Sequence, residues 1–168
     1  MGYINSLAYR DSLTGVKNRT AFIESVTVLN TKIKAHHAKF GILMADINGL
    51  KRANDLYGHE VGDRLIVEAI KVICNVFKHS PVFRIGGDEF AVVLEGHDLQ
   101  HYKALLRELE VNYLKTYVDL DKEKLPIMMA YGVAVFTVGL DRDVDDVINR
   151  ADQQMYTHKR DFKRRNGE

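Results

Sequence analysis

Apolar residues recur along the first half of the chain at spacings that predict both helices and strands. From Arg19 to about Lys34 they repeat every three or four positions, which predicts an amphipathic helix. The run FGILMADI, from Phe40 to Ile47, is short and almost wholly apolar, as is typical of a buried strand, and it reaches an acid, Asp46, near its end. A second amphipathic helix is predicted from Val61 to Phe77.

The second half of the chain continues this alternation. Val82 to Ile85 and Phe90 to Leu94 are two apolar runs so close together that they predict a hairpin. Helical spacing follows from Leu99 to Tyr113, a strand-like run from Ile127 to Phe136, and helical spacing again from Val144 to Met155. One hairpin with helical crossovers predicts an α+β sandwich, with a mainly antiparallel central sheet flanked by helices.

Composition narrows this picture to one domain without a strong overall charge. The chain has 168 residues, 46% of them hydrophobic, which suits a single core. The 24 lysines and arginines balance 23 acids, so no global basic field is present to attract nucleic acid or an anionic membrane. The single cysteine excludes an internal disulfide, and no apolar run approaches the roughly 18 to 20 residues of a membrane span. We therefore expect any functional charge to be local.

The predicted hairpin turn is the first candidate for chemistry. Gly86 and Gly87 can adopt positive φ and have no Cβ atoms, so the backbone there can turn sharply and approach a ligand closely. Asp88 and Glu89 follow directly, and Arg84 lies in the strand that enters the turn. Ordinary hairpin turns use the same residue types, so the turn alone leaves a purely structural role open. With the arginine included, the pattern favours binding of a metal-bound triphosphate.

Asp46 is the second candidate carboxylate. It lies near the end of a buried strand, where an unpaired charge is costly. If that strand lies beside the hairpin, Asp46 and Asp88 converge on one point. Two carboxylates, a backbone carbonyl and phosphate oxygens would then complete a magnesium shell.

Three motifs carry a resemblance to a known family. They are DSLTGVKNR at 11–19, DINGLKRANDLYGHEVGD at 46–63 and RIGGDEF at 84–90. In their order and spacing the chain, from about Asp11 to Lys163, resembles the GGDEF-domain diguanylate cyclases of bacteria. The resemblance implies a fold like that of nucleotidyl cyclases and polymerase palms. It also implies condensation of two GTP molecules into cyclic di-GMP with release of pyrophosphate, in a homodimer, transient or stable, to which each chain contributes half of the active site.

The resemblance also implies a metal centre for Mg²⁺ or Mn²⁺. Asp46 and Asp88 match the family's metal-binding carboxylates, and the Ile47 carbonyl matches a further ligand. Glu89 matches a residue that either binds a second metal ion or helps to deprotonate the 3′-hydroxyl, and both roles stay open.

Substrate contacts follow in the same way. Asn54 and Asp63 match the guanine-reading pair, and a carboxylate can accept from guanine N1–H and the exocyclic amine, a pair of donors that adenine lacks. Gly49 and Leu50 match positions whose backbone N–H groups meet the phosphates.

Cationic contacts to the triphosphate are implied at two places. Lys159 and Lys163 match the basic pair on the last helix, while Arg84 and the turn glycines lie around the phosphates. The family commonly has Gly-Arg-Asn after the first helix lysine, whereas this chain has Phe162-Lys163-Arg164, so either Lys163 or Arg164 can make the second contact.

One departure concerns product inhibition. The family's inhibitory site usually carries Arg-x-x-Asp shortly before the turn, and here residues 77–80 read FKHS. We therefore expect no feedback inhibition through that site. Elsewhere we expect Asp11 and Arg19 to form an ion pair or caps that clamp the N-terminal segment against the domain. We expect Tyr113 and Tyr117 to pack rather than to stack on bases.

Two alternatives remain beside an active cyclase. One is a non-catalytic signalling module that binds GTP or a partner protein, and the other is a cyclase that makes a mixed or adenine-containing cyclic dinucleotide. We interpret residues 1–10 as a lead-in helix or the artificial start of an excised domain, and residues 11–168 as the catalytic domain. We further expect a fused sensory or receiver domain outside this chain, no contact with nucleic acid or directly with a membrane, and a cytoplasmic location, alone or as part of a membrane-bound protein.

Overall fold

Helices and strands alternate along the computed structural model, which describes residues 8–165. The helices are α1 (Arg19–Lys34), α2 (Leu50–Tyr57), α3 (His59–Val76), α4 (Gly96–Gln100), α5 (Tyr102–Leu114) and α6 (Val144–Arg165). The strands are β1 (Gly41–Ile47), β2 (Val82–Arg84), β3 (Glu89–Leu94), β4 (Tyr117–Asp119), β5 (Lys124–Pro126) and β6 (Met129–Val135). Within residues 8–165, none of these helices combines the length and apolarity that crossing a bilayer requires. Of the predicted lead-in, residues 1–10, the part from 1 to 7 lies outside the described residues.

Four strands form the central sheet in the order β2-β3-β1-β6, and every neighbouring pair is antiparallel. Strand β1 lies between β3 and β6, and all seven of its residues are buried, as its apolar run predicts. The predicted hairpin is present, with Phe83 opposite Ala91. The prediction of an α+β sandwich with an antiparallel central sheet flanked by helices is therefore confirmed.

Alternate residues of β1 point to opposite faces of the sheet. Leu43, Ala45 and Ile47 join a core that includes α3 and α5. Ile42 and Met44 join a second core formed with α1 and α6. By the same alternation, Asp46 projects toward the side of α1 and α6, at the end of the strand.

Helix α6 lies unusually close to β6. At Gly132 an added Cβ atom would lie 2.2 Å from the Ala151 carbonyl oxygen and 2.5 Å from the Met155 nitrogen, so the helix backbone occupies the space of a side chain. Two side chains of α6 also accept backbone N–H groups of β6: Gln154 Oε1 from Val133 at 3.1 Å, and His158 Nδ1 from Tyr131 at 3.1 Å. These contacts fix the helix along the strand and set the position of the residues that follow.

Three elements differ from the sequence predictions. The segment between β1 and α3 forms a separate helix, α2, which ends at Gly58, whose φ of +91° breaks the helical path. A small hairpin, β4–β5, has only three residues in each strand, too few for a detectable alternation. Helix α6 runs to Arg165 instead of ending near Met155, since its last turns are largely exposed and therefore carry no apolar period.

Candidate active site

The acidic residues of the second and third motifs meet where β1 and β3 pair. Asp46 lies directly opposite Glu89 in the antiparallel register, and the Ile47 N–H donates to the Asp88 carbonyl at 3.0 Å. The strand that carries Asp46 does lie beside the hairpin, which is the condition on which the predicted convergence depends. Directly opposed residues share one face of a sheet, so Asp46 and Glu89 both project toward α1 and α6.

Asp46 is buried, with 8% of its surface exposed, and its two oxygens differ in environment. Oδ2 accepts a hydrogen bond from Lys159 Nζ at 2.9 Å, whereas Oδ1 is fully buried without a hydrogen-bond partner. Burial raises the pKa of Asp46, the Lys159 hydrogen bond opposes that rise, and the charge of Asp88 adds to it. The same hydrogen bond raises the pKa of Lys159. An orphaned carboxylate oxygen beside further acids is a position that favours a cation.

A fourth acid, Asp152, lies near Glu89 in this cluster, and the sequence motifs do not include it. Its Oδ1 is buried without a partner, and burial raises its pKa. Burial is also the main reason why the pKa of Glu89 is raised, with the charge of Asp152 next, while Arg19 acts in the opposite direction. Asp152 precedes Lys159 by two helical turns on α6, so the helical period placed both on one face. The seven-residue spacing from Lys159 is the sequence signal that could have pointed to Asp152.

The donor set fits a hard divalent ion such as Mg²⁺ or Mn²⁺. Among residues 8–165, no three side chains of the His, Cys, Asp or Glu types are already arranged around a common cation position. Magnesium commonly uses only one or two protein carboxylates and takes the rest of its shell from substrate phosphates and water. Asp46 and Asp88, whose charge acts on Asp46, supply the two carboxylates that this requirement calls for.

Arg84 holds the turn and the N-terminal motif together. Its Nε and Nη2 donate to the carbonyls of Gly86 at 3.2 Å and Gly87 at 2.9 Å, and its Nη1 lies 3.3 Å from both carboxylate oxygens of Asp11. Asp11 also accepts from the backbone and hydroxyl of Thr14. Asp11 thus does hold the N-terminal segment, but its partners are Arg84 and Thr14 instead of the expected Arg19. Contact between Arg84 and a triphosphate stays a prediction.

The backbone conformation of the turn does not require glycine at positions 86 and 87. Neither Gly86 nor Gly87 adopts the left-handed conformation, so this turn does not use the positive φ that glycine allows. A Cβ atom at Gly87 would meet nothing within 4 Å, and one at Gly86 would make only an ordinary contact with Glu89 Cβ at 3.7 Å. The protein itself therefore leaves open space at both positions.

The predicted guanine-reading residues lie on adjacent helices, Asn54 on α2 and Asp63 on α3. Asn54 packs against Gly62, where an added Cβ would lie 1.7 Å from Asn54 Oδ1, and this oxygen is buried without a partner. Asp63 is exposed. Gly49, with φ of +76°, directly precedes the first turn of α2, which begins at Leu50. No side chain caps this helix, so its N–H groups are available to an anion.

The two basic positions of α6 differ. Lys159 reaches Asp46, while Lys163 and Arg164 are exposed near the end of the helix. Lys163 lies about one turn beyond Lys159. The choice between Lys163 and Arg164 as a phosphate contact stays open.

The stretch that replaces Arg-x-x-Asp is used in packing. Phe77 is 1% exposed in the core, and the Ser80 hydroxyl donates to the buried carboxylate of Asp98. The residue that we match to the arginine of that signature is therefore part of the core.

The antiparallel sheet with helices on both faces is an α+β palm-like fold. The chain belongs to the GGDEF domain family, since a family model described as "Diguanylate cyclase, GGDEF domain" matches residues 8–165. The probable diguanylate cyclase DgcT of Escherichia coli (strain K12) is 28% identical over 156 residues, which cover 92% of this chain and 34% of DgcT. The chain thus spans about a third of the length of that relative.

Solved structures agree in fold. Diguanylate cyclase SiaD of Pseudomonas aeruginosa, crystallised with its activator SiaC, superposes with a TM-score of 0.82 at 27% identity, covering 94% of this chain and 60% of SiaD. The GGDEF domain of DgcB from Caulobacter crescentus, in complex with c-di-GMP, superposes with a TM-score of 0.79 at 28% identity, covering 91% of each chain.

Proposed function

We propose that this domain is a diguanylate cyclase, which condenses two GTP molecules into cyclic di-GMP and releases pyrophosphate. One observation carries the proposal: Asp46, with a buried and unpartnered oxygen, stands opposite Glu89 and beside Asp88 in a chain of the GGDEF family. All motif acids are present, which favours turnover over a purely binding role.

Asp46, Asp88 and the Ile47 carbonyl would hold the metal ion, with Glu89 as a further candidate ligand. A bound Mg²⁺ or Mn²⁺ ion would supply Lewis-acid stabilisation of the reacting phosphate and of the attacking oxygen. Glu89 either joins the ligands or accepts the 3′-hydroxyl proton, and its raised pKa suits the second role. Lys159 donates a hydrogen bond to Asp46 in this cluster, and when GTP binds it can donate to a substrate phosphate instead.

The rest of the site binds and orients GTP. Asn54 and Asp63 read the guanine edge, and the N–H groups of Gly49 and Leu50 donate to the phosphates. The open space at the turn glycines admits the triphosphate close to the backbone, and this explains why glycine occurs where the protein alone does not need it. Arg84 acts at least by fixing the shape of that turn.

One chain provides half of a two-substrate site, so catalysis needs a homodimer in which two bound GTP molecules face each other. We expect regulation through a fused sensory or receiver domain that controls this encounter in the cytoplasm. We also expect no product inhibition through the Arg-x-x-Asp position, because Phe77 and Ser80 are committed to packing there.

The direct test is incubation of the purified domain with GTP and Mg²⁺ over a range of protein concentrations, followed by identification of the nucleotide product. We expect cyclic di-GMP, with specific activity that rises with protein concentration. Asp88→Asn should abolish turnover, and an ATP–GTP mixture should give no mixed product. GTP binding without any product at high protein concentration would instead identify a non-catalytic module.

A further inference from the structure

A cleft borders Asp63. It has a volume of about 350 Å³, and its walls come from three separate parts of the chain. Helix α3 contributes Asp63 and Val67, the DSLTG turn contributes Leu13, and the β4 strand contributes Tyr117 and Val118. The cleft thus combines aliphatic walls and one aromatic ring with charged side chains, which are the carboxylates of Asp63, Glu68 and Asp119 and the guanidinium of Arg64.

Tyr117 differs from the tyrosine with which the sequence grouped it. Tyr113 is 4% exposed and packs in the core, as expected. Tyr117 is 46% exposed at the cleft and is therefore not a packing residue of the core. An exposed aromatic ring opposite aliphatic side chains is an arrangement that suits the two faces of a planar base.

The hairpin that carries Tyr117 is held to both helices of the predicted guanine site. Arg64 Nη2, on α3, donates to the Asp119 carbonyl at 2.8 Å. The Tyr57 hydroxyl, at the end of α2, donates to Glu123 Oε1. The position of the ring relative to Asp63 is therefore set by two contacts, one to each helix.

The wall of the cleft that carries Leu13 is also held by hydrogen bonds. Asp11 accepts from the Thr14 N–H and hydroxyl at 2.9 and 2.7 Å, and the Gly15 N–H donates to the Asp11 carbonyl at 2.9 Å. The ion pair between Asp11 and Arg84 holds this loop against the rest of the domain. Leu13 is thus presented to the cleft by a fixed loop.

We propose that Tyr117 stacks on the nucleobase whose edge Asp63 reads, so that the β4–β5 hairpin is part of the guanine-binding site. This inference rests on the proposed function and adds a binding residue to it. The ring supplies affinity for any purine, because every base has a π-face, while the carboxylate supplies the preference for guanine.

The test measures equilibrium binding of GTP and of inorganic tripolyphosphate to the wild-type domain, Tyr117→Ala and Tyr117→Phe. We expect Tyr117→Ala to bind GTP about tenfold more weakly, Tyr117→Phe to bind it normally, and tripolyphosphate affinity to stay unchanged in both. Tyr156→Ala is the matched control, because Tyr156 is an exposed tyrosine, 67% accessible, on α6 and outside the cleft.

GTP affinity of Tyr117→Ala within twofold of the wild type would overturn the inference and leave the proposed cyclase untouched. Equal weakening of tripolyphosphate would also overturn it, because the loss would then come from a disturbed hairpin. If the wild-type domain binds no GTP, the proposed function fails and this inference fails with it.

Discussion

Lys159 Nζ lies 2.9 Å from Asp46 Oδ2, so the last helix is joined to the central strand by an ion pair at the proposed metal site. The lysine side chain is 33% exposed and the aspartate side chain 12%, so the pair is only partly screened by water. The ammonium group neutralises the carboxylate on which metal binding depends. In the absence of nucleotide, Lys159 and the metal ion therefore compete for the carboxylate of Asp46.

We predict that Lys159→Met strengthens nucleotide-free Mn²⁺ binding by about tenfold, because removal of a neighbouring positive charge favours a divalent ion at Asp46. Isothermal titration with Mn²⁺ measures this affinity. Arg160→Met is the control, since it removes the same charge from an exposed position of the same helix. Equal gains in both variants, or weaker binding in Lys159→Met, would contradict the assignment of Asp46 as a metal ligand.

Gly132→Ala should destabilise the fold by about 1–3 kcal/mol, because the new methyl group overlaps backbone atoms of α6, which cannot move independently of the helix. Urea denaturation gives the free energy of unfolding. We also expect displacement of α6 to weaken GTP binding, since Lys159 lies on the same helix. A variant as stable as the wild type would show that β6 and α6 are farther apart than described.

Gly87→Ala provides the converse case. Its methyl group meets no protein atom within 4 Å and its backbone is unstrained, so stability should stay within about 0.5 kcal/mol of the wild type. Turnover of GTP should nevertheless fall by about a hundredfold if the phosphates occupy that space. Full activity of a stable Gly87→Ala variant would exclude close approach of the triphosphate to the turn.

Asp11→Asn tests the ion pair with Arg84 through its pH dependence. Burial tends to raise the pKa of Asp11, but hydrogen bonds from Thr14 and the charge of Arg84 outweigh it and lower the pKa below 3.8. The ionised carboxylate therefore stabilises the fold above about pH 4, and this contribution is lost as the pH falls through the lower folded-state pKa.

Asp11→Asn should accordingly cost about 1 kcal/mol at pH 7, and the difference from the wild type should shrink progressively below pH 4. Denaturation at pH 7, 5 and 3 measures the trend. Asp121→Asn, at an exposed loop position, should show no such difference. A gap between Asp11→Asn and the wild type that is constant with pH would assign the effect to packing instead of charge.

The sheet and its main helices could be predicted because each buries a continuous apolar face. The Phe40 to Ile47 run and the Arg19 to Lys34 helix both match the observed elements closely. The condition for the predicted convergence of Asp46 and Asp88 also holds, since antiparallel pairing places β1 beside β3, with Asp46 opposite Glu89.

Features that depend on tertiary contacts could not be predicted in the same way. Asp152 carries no motif of its own, and only the docking of α6 on β6 brings it to Glu89. The ion pair between Arg84 and Asp11 joins residues 73 positions apart, so no local pattern indicates it, whereas the neighbouring turn suggests a substrate contact for Arg84. The β4–β5 hairpin is too short to show a period, so the exposure of Tyr117 was not foreseen.

The Arg84–Asp11 contact has a consequence for how this domain can diverge. It joins the first motif to the third through one guanidinium that also fixes the turn carbonyls. Loss of either residue leaves the other charge without its partner, so intermediate sequences along an evolutionary path are disfavoured. We therefore expect positions 11 and 84 to change together among descendants of this sequence. A lineage that loses one of the two residues should also lose the shape of the turn.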